Sequence, residues 1–274
     1  MIDGNIDSDT NSPGLRLRLL GGWRLHDVSA DGDVEVPTTV TMRRLLAALA
    51  LRGPTHRGAA ATLLWPDSPT RQAAGSLREL LWRTRQAHPD LLCVSRECLA
   101  LGRSVQVDVP ALRRAIAELA RRRPGAGPAA AEFTAGELLP GWTEPWVETE
   151  REQLRQLQLV GLELLADRRL AERAPSEALP IALAAAATEP LRESAQRMVV
   201  RAHLAMGNYG QAVAQFERFS DLLDEELGVR PSREFADLLR SRAREEYRPR
   251  PVSGHPIRSD RPVMPGALAV AVDF

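Results

Sequence analysis

Leu15, Leu17 and Leu19 alternate with Arg16 and Arg18, a period of two that predicts a half-buried strand. Gly21-Gly22 interrupts the pattern, Trp23 and Leu25 resume it, and Val34 and Val36 suggest a third short strand after a turn at Asp31-Gly32. The period then changes. Met42, Leu45, Leu46 and Leu49 recur at helical spacing, with Thr41 as the expected cap and Gly53-Pro54 as the stop. A second, short helix is expected to be capped by Thr55 and to close before Pro66. A third begins near Ser68, with Pro69 in its first position, and ends before Pro89. Two β-prone runs around Cys93 and Cys98, parted by Arg96-Glu97, read as a hairpin. Asp108 starts a fourth helix that runs to Arg121–Arg123.

The stretch from Pro124 to Trp142 is rich in Pro, Gly and Ala and reads as connector rather than core. Helical periodicity returns from Pro145 to Tyr247, with an internal repeat of 34 residues that pairs Ala178 with Ala212, Leu179 with Val213, Ala182 with Phe216 and Glu172 with Met206. Small residues at such positions let paired helices approach closely, and neighbouring pairs then cover each other's apolar faces. The pattern predicts a helical repeat domain. The acidic segment 1–14 and the Pro-rich segment 248–274 read as disordered tails.

Composition adds a division of charge. The chain of 274 residues has no net charge and no lysine. Between Thr38 and Arg103, ten arginines face four acids; between Trp142 and Tyr247, fourteen arginines face nineteen acids. A basic module suits a phosphate backbone and an acidic one does not. The polar N-terminus and the lack of a long apolar run point to a cytoplasmic protein with no leader and no membrane span. Two cysteines are too few for a disulfide framework and read as small residues in a strand pair.

Enzyme chemistry finds no foothold. Without lysine there is no Walker loop, and no Gly-x-Gly-x-x-Gly or Gly-x-Ser-x-Gly occurs. The five histidines are scattered, so neither a metal nor a cofactor is expected.

The third helix is the informative element. At about 100° per residue, Leu77, Leu81, Thr84, Ala74 and Leu80 share one stripe, while Arg71, Gly75, Arg78, Trp82 and Arg85 share another. A helix of this size spans roughly 28 Å, enough to lie along a major groove. Arginine forks onto guanine or grips phosphate, tryptophan packs on sugar or a thymine methyl, and Gly75 lets the duplex come close. With the helix before it and the hairpin after it, the segment predicts a helix-turn-helix with a wing, Arg96 at the wing's tip. Thr41, Arg43 and Arg44, at a helix N-terminus, are further candidates for phosphate. Trp142, Trp146 and Tyr209 are candidates to line a partner groove on the repeat domain, with packing as the alternative.

"RRLLAALALRG", "LLWPDSP", "SLRELLWRTRQ" and "VDVPALRRAI" resemble the winged-helix half of the Streptomyces antibiotic regulatory proteins. "ELLPGWTEPWVETERE" and "EPLRESAQRMVVRAHLAMGNYGQAVAQFERFSDLLDEELGVRPS" resemble the bacterial transcriptional activator domain that follows it in that family. The resemblance implies an α+β, OmpR-like winged helix-turn-helix over 15–105 and an all-α, tetratricopeptide-like domain over 106–247. It also implies an activator of secondary-metabolite gene clusters, associated with the nucleoid. Such an activator binds promoter repeats as a homodimer and recruits RNA polymerase. Thr84 stands where the family usually keeps leucine, which implies looser packing of the third helix. A helical-repeat interaction scaffold whose winged helix no longer binds DNA is the alternative reading.

Overall fold

A computed structural model describes residues 14–29, 32–121, 133–134 and 136–246. The two expected tails, the turn at Asp31, the expected end of the fourth helix at residues 122–123 and part of the connector lie outside the described residues. The described part is α+β: a small N-terminal sheet, a second sheet of short strands, and a helical remainder.

The alternation of leucine and arginine forms β1 (Gly14–Arg18), paired antiparallel to β2 (Arg24–Ser29), which pairs in turn with β3 (Gly32–Glu35). Leu15, Leu17 and Leu25 point into the core and the arginines point outward. A fourth strand, β7 (Gln106–Val107), joins β1 in parallel from about 90 residues further along. Two residues give too little pattern to read as a strand. Asp108 follows β7, and its Oδ2 accepts the N–H groups of Leu19 and Leu20, 2.9 Å each. It closes the end of β1 besides starting a helix.

Helix α1 (Val40–Arg52) is capped by Thr39, not Thr41: the Thr39 hydroxyl accepts the Met42 N–H, and Thr41 lies inside the first turn. Thr55 is likewise not a cap. Thr55 and His56 form strand β4, and the His56 ring accepts the Gly58 N–H at the start of α2 (Arg57–Leu64). Residues 65–69 lead into α3 (Thr70–Ala87), which starts two residues after the expected Ser68 and has no side-chain cap. The hairpin is present as β5 (Leu92–Val94) and β6 (Cys98–Leu101), and β4 adds to its edge. Cys93 and Cys98 are free and exposed. Gly102 has to be glycine, because an added Cβ would sit 1.8 Å from the Asp90 carbonyl oxygen.

Helix α4 (Asp108–Ala120) buries Val109, Leu112, Ile116 and Leu119. The connector is core after all, where it is described. Phe133 is 2% exposed, and Leu138 and Leu139 are buried. Leu138 bridges Leu20, and the Leu139 N–H donates to the Leu19 carbonyl. Arg151 holds this segment down by donating to the carbonyls of Leu138, Leu139 and Trp142 at 2.9–3.0 Å. Arginine is the side chain that can satisfy three carbonyls from one planar group.

Five helices follow: α5 (Pro145–Ala171), α6 (Pro175–Thr188), α7 (Glu193–Ala205), α8 (Tyr209–Leu227) and α9 (Arg233–Glu246). The 34-residue period is visible in their bounds. α5 and α7 end at Ala171 and Ala205, and α6 and α8 begin at Pro175 and Tyr209. The residue in the left-handed region falls at Arg173 in one turn and Gly207 in the next. Ala178 and Ala212 are both fully buried, which lets each helix pair close. A continuous core runs from Leu15 to Val199, so the two halves share one interior; a smaller cluster around Phe219 and Phe235 closes the far end.

Candidate nucleic-acid interface

Helix α3 is anchored by Ala73, Leu77, Leu81 and Thr84. Ala73, one residue from the expected Ala74, takes the buried position, and Ala74 is half-buried. Thr84, where leucine is the family's usual residue, is buried in its place. It is 3% exposed, and its hydroxyl donates to the Leu80 carbonyl at 2.8 Å, so no polar atom is left unpaired.

The opposite stripe is free. Arg71, Arg78 and Arg85 are exposed, and Trp82 is 65% exposed, unusual for an aromatic of that size. None of the three arginines has an acidic partner among the described residues. The remaining arginine of the helix, Arg83, is paired with Glu79 on another edge. Gly75 lies between Arg71 and Arg78, where an added Cβ would meet only an Arg78 Nη2 at 3.8 Å. Nothing within the chain requires glycine at that point, although glycine costs a helix about 1 kcal/mol relative to alanine.

Arg96 is exposed at the hairpin tip. The turn beneath it is tied by Ser95, whose N–H donates to the Cys98 carbonyl and whose Oγ accepts the Cys98 N–H. The three residues at the start of α1 do not join the cationic stripe. Thr41 faces a cleft of about 500 Å³ shared with Trp65, Glu79 and Arg83. Arg43 donates to the Thr38 hydroxyl. Arg44 is drawn 3.0 Å from Glu144, just before α5, in an ion pair not aligned as a hydrogen bond. A carboxylate from the second half has taken the place proposed for phosphate.

The tryptophans and Tyr209 do not form one groove. Trp142 stacks on Trp23 of the N-terminal half, ring centroids 6.1 Å apart. Trp146 lies under the Arg52 guanidinium, 5.5 Å from its centroid. Both belong to the joint between the halves, whereas Tyr209 opens α8 of the repeat. Sequence reasoning missed the ties made by Trp23, Asp108, Arg151 and Glu150. Trp23, Asp108 and Glu150 act on residues far away in the chain, and Arg151 reaches back 9–13 residues across a break between elements, so no helical or strand period betrays them.

Several carboxylates of the acidic half are held by arginines in place. Glu152 is held at about 2 by hydrogen bonds from Arg155 and then Gln156. The Glu163 carboxylate raises the Arg192 guanidinium above its ordinary value. Arg192–Glu163 and Arg155–Glu189 brace α5 against the α6–α7 turn. No described helix is long and apolar enough to cross a membrane.

Comparison with known proteins defines the class as regulators of transcription. The bacterial transcriptional activator domain matches residues 101–241. The chain belongs to that family. Regulatory protein AfsR of Streptomyces coelicolor is 30% identical over 239 residues, covering 81% of this chain and 24% of that protein. AfsR of Streptomyces griseus is 28% identical over 242 residues, covering 82% and 24%. The chain therefore spans about a quarter of the length of the curated relatives it matches. Mycobacterium tuberculosis EmbR, solved in complex with a low affinity phosphopeptide, has a similar fold: TM-score 0.60 at 20% identity, over 85% of this chain and 66% of that one.

Proposed function

We propose that the chain is a sequence-specific DNA-binding activator of transcription. Residues 15–105 are its OmpR-like winged helix-turn-helix, and residues 106–247 its tetratricopeptide-like activator domain. The observation that carries this reading is the stripe on α3. Three exposed arginines without acidic partners flank an exposed tryptophan and a glycine that internal packing does not need. Most arginines of the second half are paired with a carboxylate, so an unpaired row on one helix edge stands out. An unpaired row of this kind fits phosphates and base edges, with α3 in the major groove, Arg96 of the hairpin acting as wing, and Gly75 admitting the duplex. In this reading the protein sits as a homodimer on repeats near a promoter, and its second half recruits RNA polymerase to genes of secondary metabolism.

The test is selection of duplexes from a random pool by the purified chain, followed by binding at a series of salt concentrations. The expected result is an enriched motif and an affinity that falls steeply with salt, because bound arginines release counterions. A pool without enrichment and without salt-sensitive binding overturns the reading and leaves the scaffold alternative.

A further inference from the structure

The start of α5 carries two carboxylates, at its N-cap and in its second turn, that arginines of α1 and α4 hold. Glu144, beside the helix start, is 3.0 Å from Arg44 of α1. Glu150, only 15% exposed, lies 3.2 Å from Arg113 of α4 and 4.0 Å from Arg52 of α1. Arg113 also donates to the Leu51 carbonyl, and Arg52 covers the Trp146 ring. Arg44, Ala48 and Arg52 are four residues apart each time, so α1 offers one edge with a cation at each end and a buried alanine between. The two carboxylates of α5 meet the two ends of that edge.

Crossing angles of packed helices scatter by about 15–20° from one pair to another, so apolar packing does not by itself dictate a single angle. Partly buried charge pairs contribute little net stability, since desolvation offsets their attraction, but they choose one register among several. We propose that Glu150, together with Glu144, is a positioning residue: through Arg44 and Arg52 of α1 and Arg113 of α4 the two carboxylates fix the direction of α5 and so the direction in which the repeat half is aimed relative to the α3 stripe. The functional consequence rests on the DNA-binding reading above; the geometric claim does not. An activator domain held at one angle can meet its partner only from one side of the duplex, so activation depends on this joint even where DNA affinity does not.

The test uses the full chain. With Cys93 and Cys98 replaced by serine, spin labels are placed through Thr62→Cys on α2 and Glu217→Cys on α8, both exposed positions. The parent protein is expected to give one narrow distance. Glu144→Arg with Glu150→Arg sets like charges together and is expected to broaden or shift that distance. Glu144→Gln with Glu150→Gln keeps the shape and is expected to broaden it less, and it serves if the arginine variant fails to fold. Affinity for a selected duplex should stay within about twofold, the range of ordinary surface changes. Transcription from a promoter carrying that duplex should fall by about fivefold or more, the range of a site-to-site coupling. An unchanged distance in both variants overturns the proposal, as does activation that falls only in proportion to affinity. If the chain binds no DNA at all, the functional reading fails while the distance measurement still decides the joint.

Discussion

Replacing Arg78 by alanine removes a guanidinium that is exposed and unpaired in the free protein, so its whole effect should appear in the complex. A bidentate contact to guanine contributes about 1–3 kcal/mol of discrimination. At 1.4 kcal/mol per tenfold, affinity should fall by about five- to 150-fold. Arg83 is the control on the same helix. It lies about 140° further round, is 70% exposed and is engaged by Glu79 four residues earlier. That ion pair is worth about 0.3–0.5 kcal/mol. At physiological salt a charge beyond about 8 Å from the duplex is largely screened, so Arg83→Ala should change affinity by less than about 0.5 kcal/mol. Neither change should move the thermal midpoint much, because both side chains stand outside the core. Fluorescence anisotropy on a selected duplex, repeated across a salt series, separates the roles. If Arg78 reads a base, its loss relaxes specificity at one position; if it grips phosphate, the salt slope falls by about 1. Equal losses from Arg78→Ala and Arg83→Ala would refute the assignment of the stripe, since net charge alone would then account for binding.

Gly161→Ala would place a Cβ 2.7 Å from the buried Phe133 ring and 3.0 Å from Ile116. A gain of about 1 kcal/mol in helix propensity then opposes about 1–3 kcal/mol of overpacking. The expected result is a lower urea midpoint that Phe133→Leu partly restores; a midpoint that rises would show that the connector yields freely. The His203 imidazole is held below its ordinary 6.5, first by burial and then by Arg218, and its Nδ1 has no partner. The unfolded chain therefore takes up this proton first as pH falls, so stability present above about 6.5 is lost below it. His203→Gln should flatten that slope between about pH 7 and 5, and parallel slopes in the two proteins would sink the assignment.

The arginine stripe was legible because a helix repeats every 3.6 residues, and eighteen residues give the period room to show. The hairpin was legible from two β-prone runs either side of Arg96-Glu97, and the repeat from small residues recurring 34 places apart. The sequence also marked which edge of α3 would be polar, and the structure left that edge uncovered. Caps were less legible. Thr39 and Thr41 are equally good acceptors two residues apart, and only the path of the chain from Pro37 into α1 selects the first.

What the sequence by itself determined was local: the strand at Leu15–Leu19, the helices, the hairpin and the period of the repeat, each written in residues a few places apart. Only the tertiary structure decided how the two halves meet. β7 comes to lie beside β1, Phe133 and Leu138 enter the core from a stretch that reads as linker, and Arg44 turns to Glu144 instead of to phosphate. Contacts between residues 90 or 100 places apart have no period to announce them. They are chosen when the chain collapses, by which apolar face finds cover and which buried charge finds its opposite.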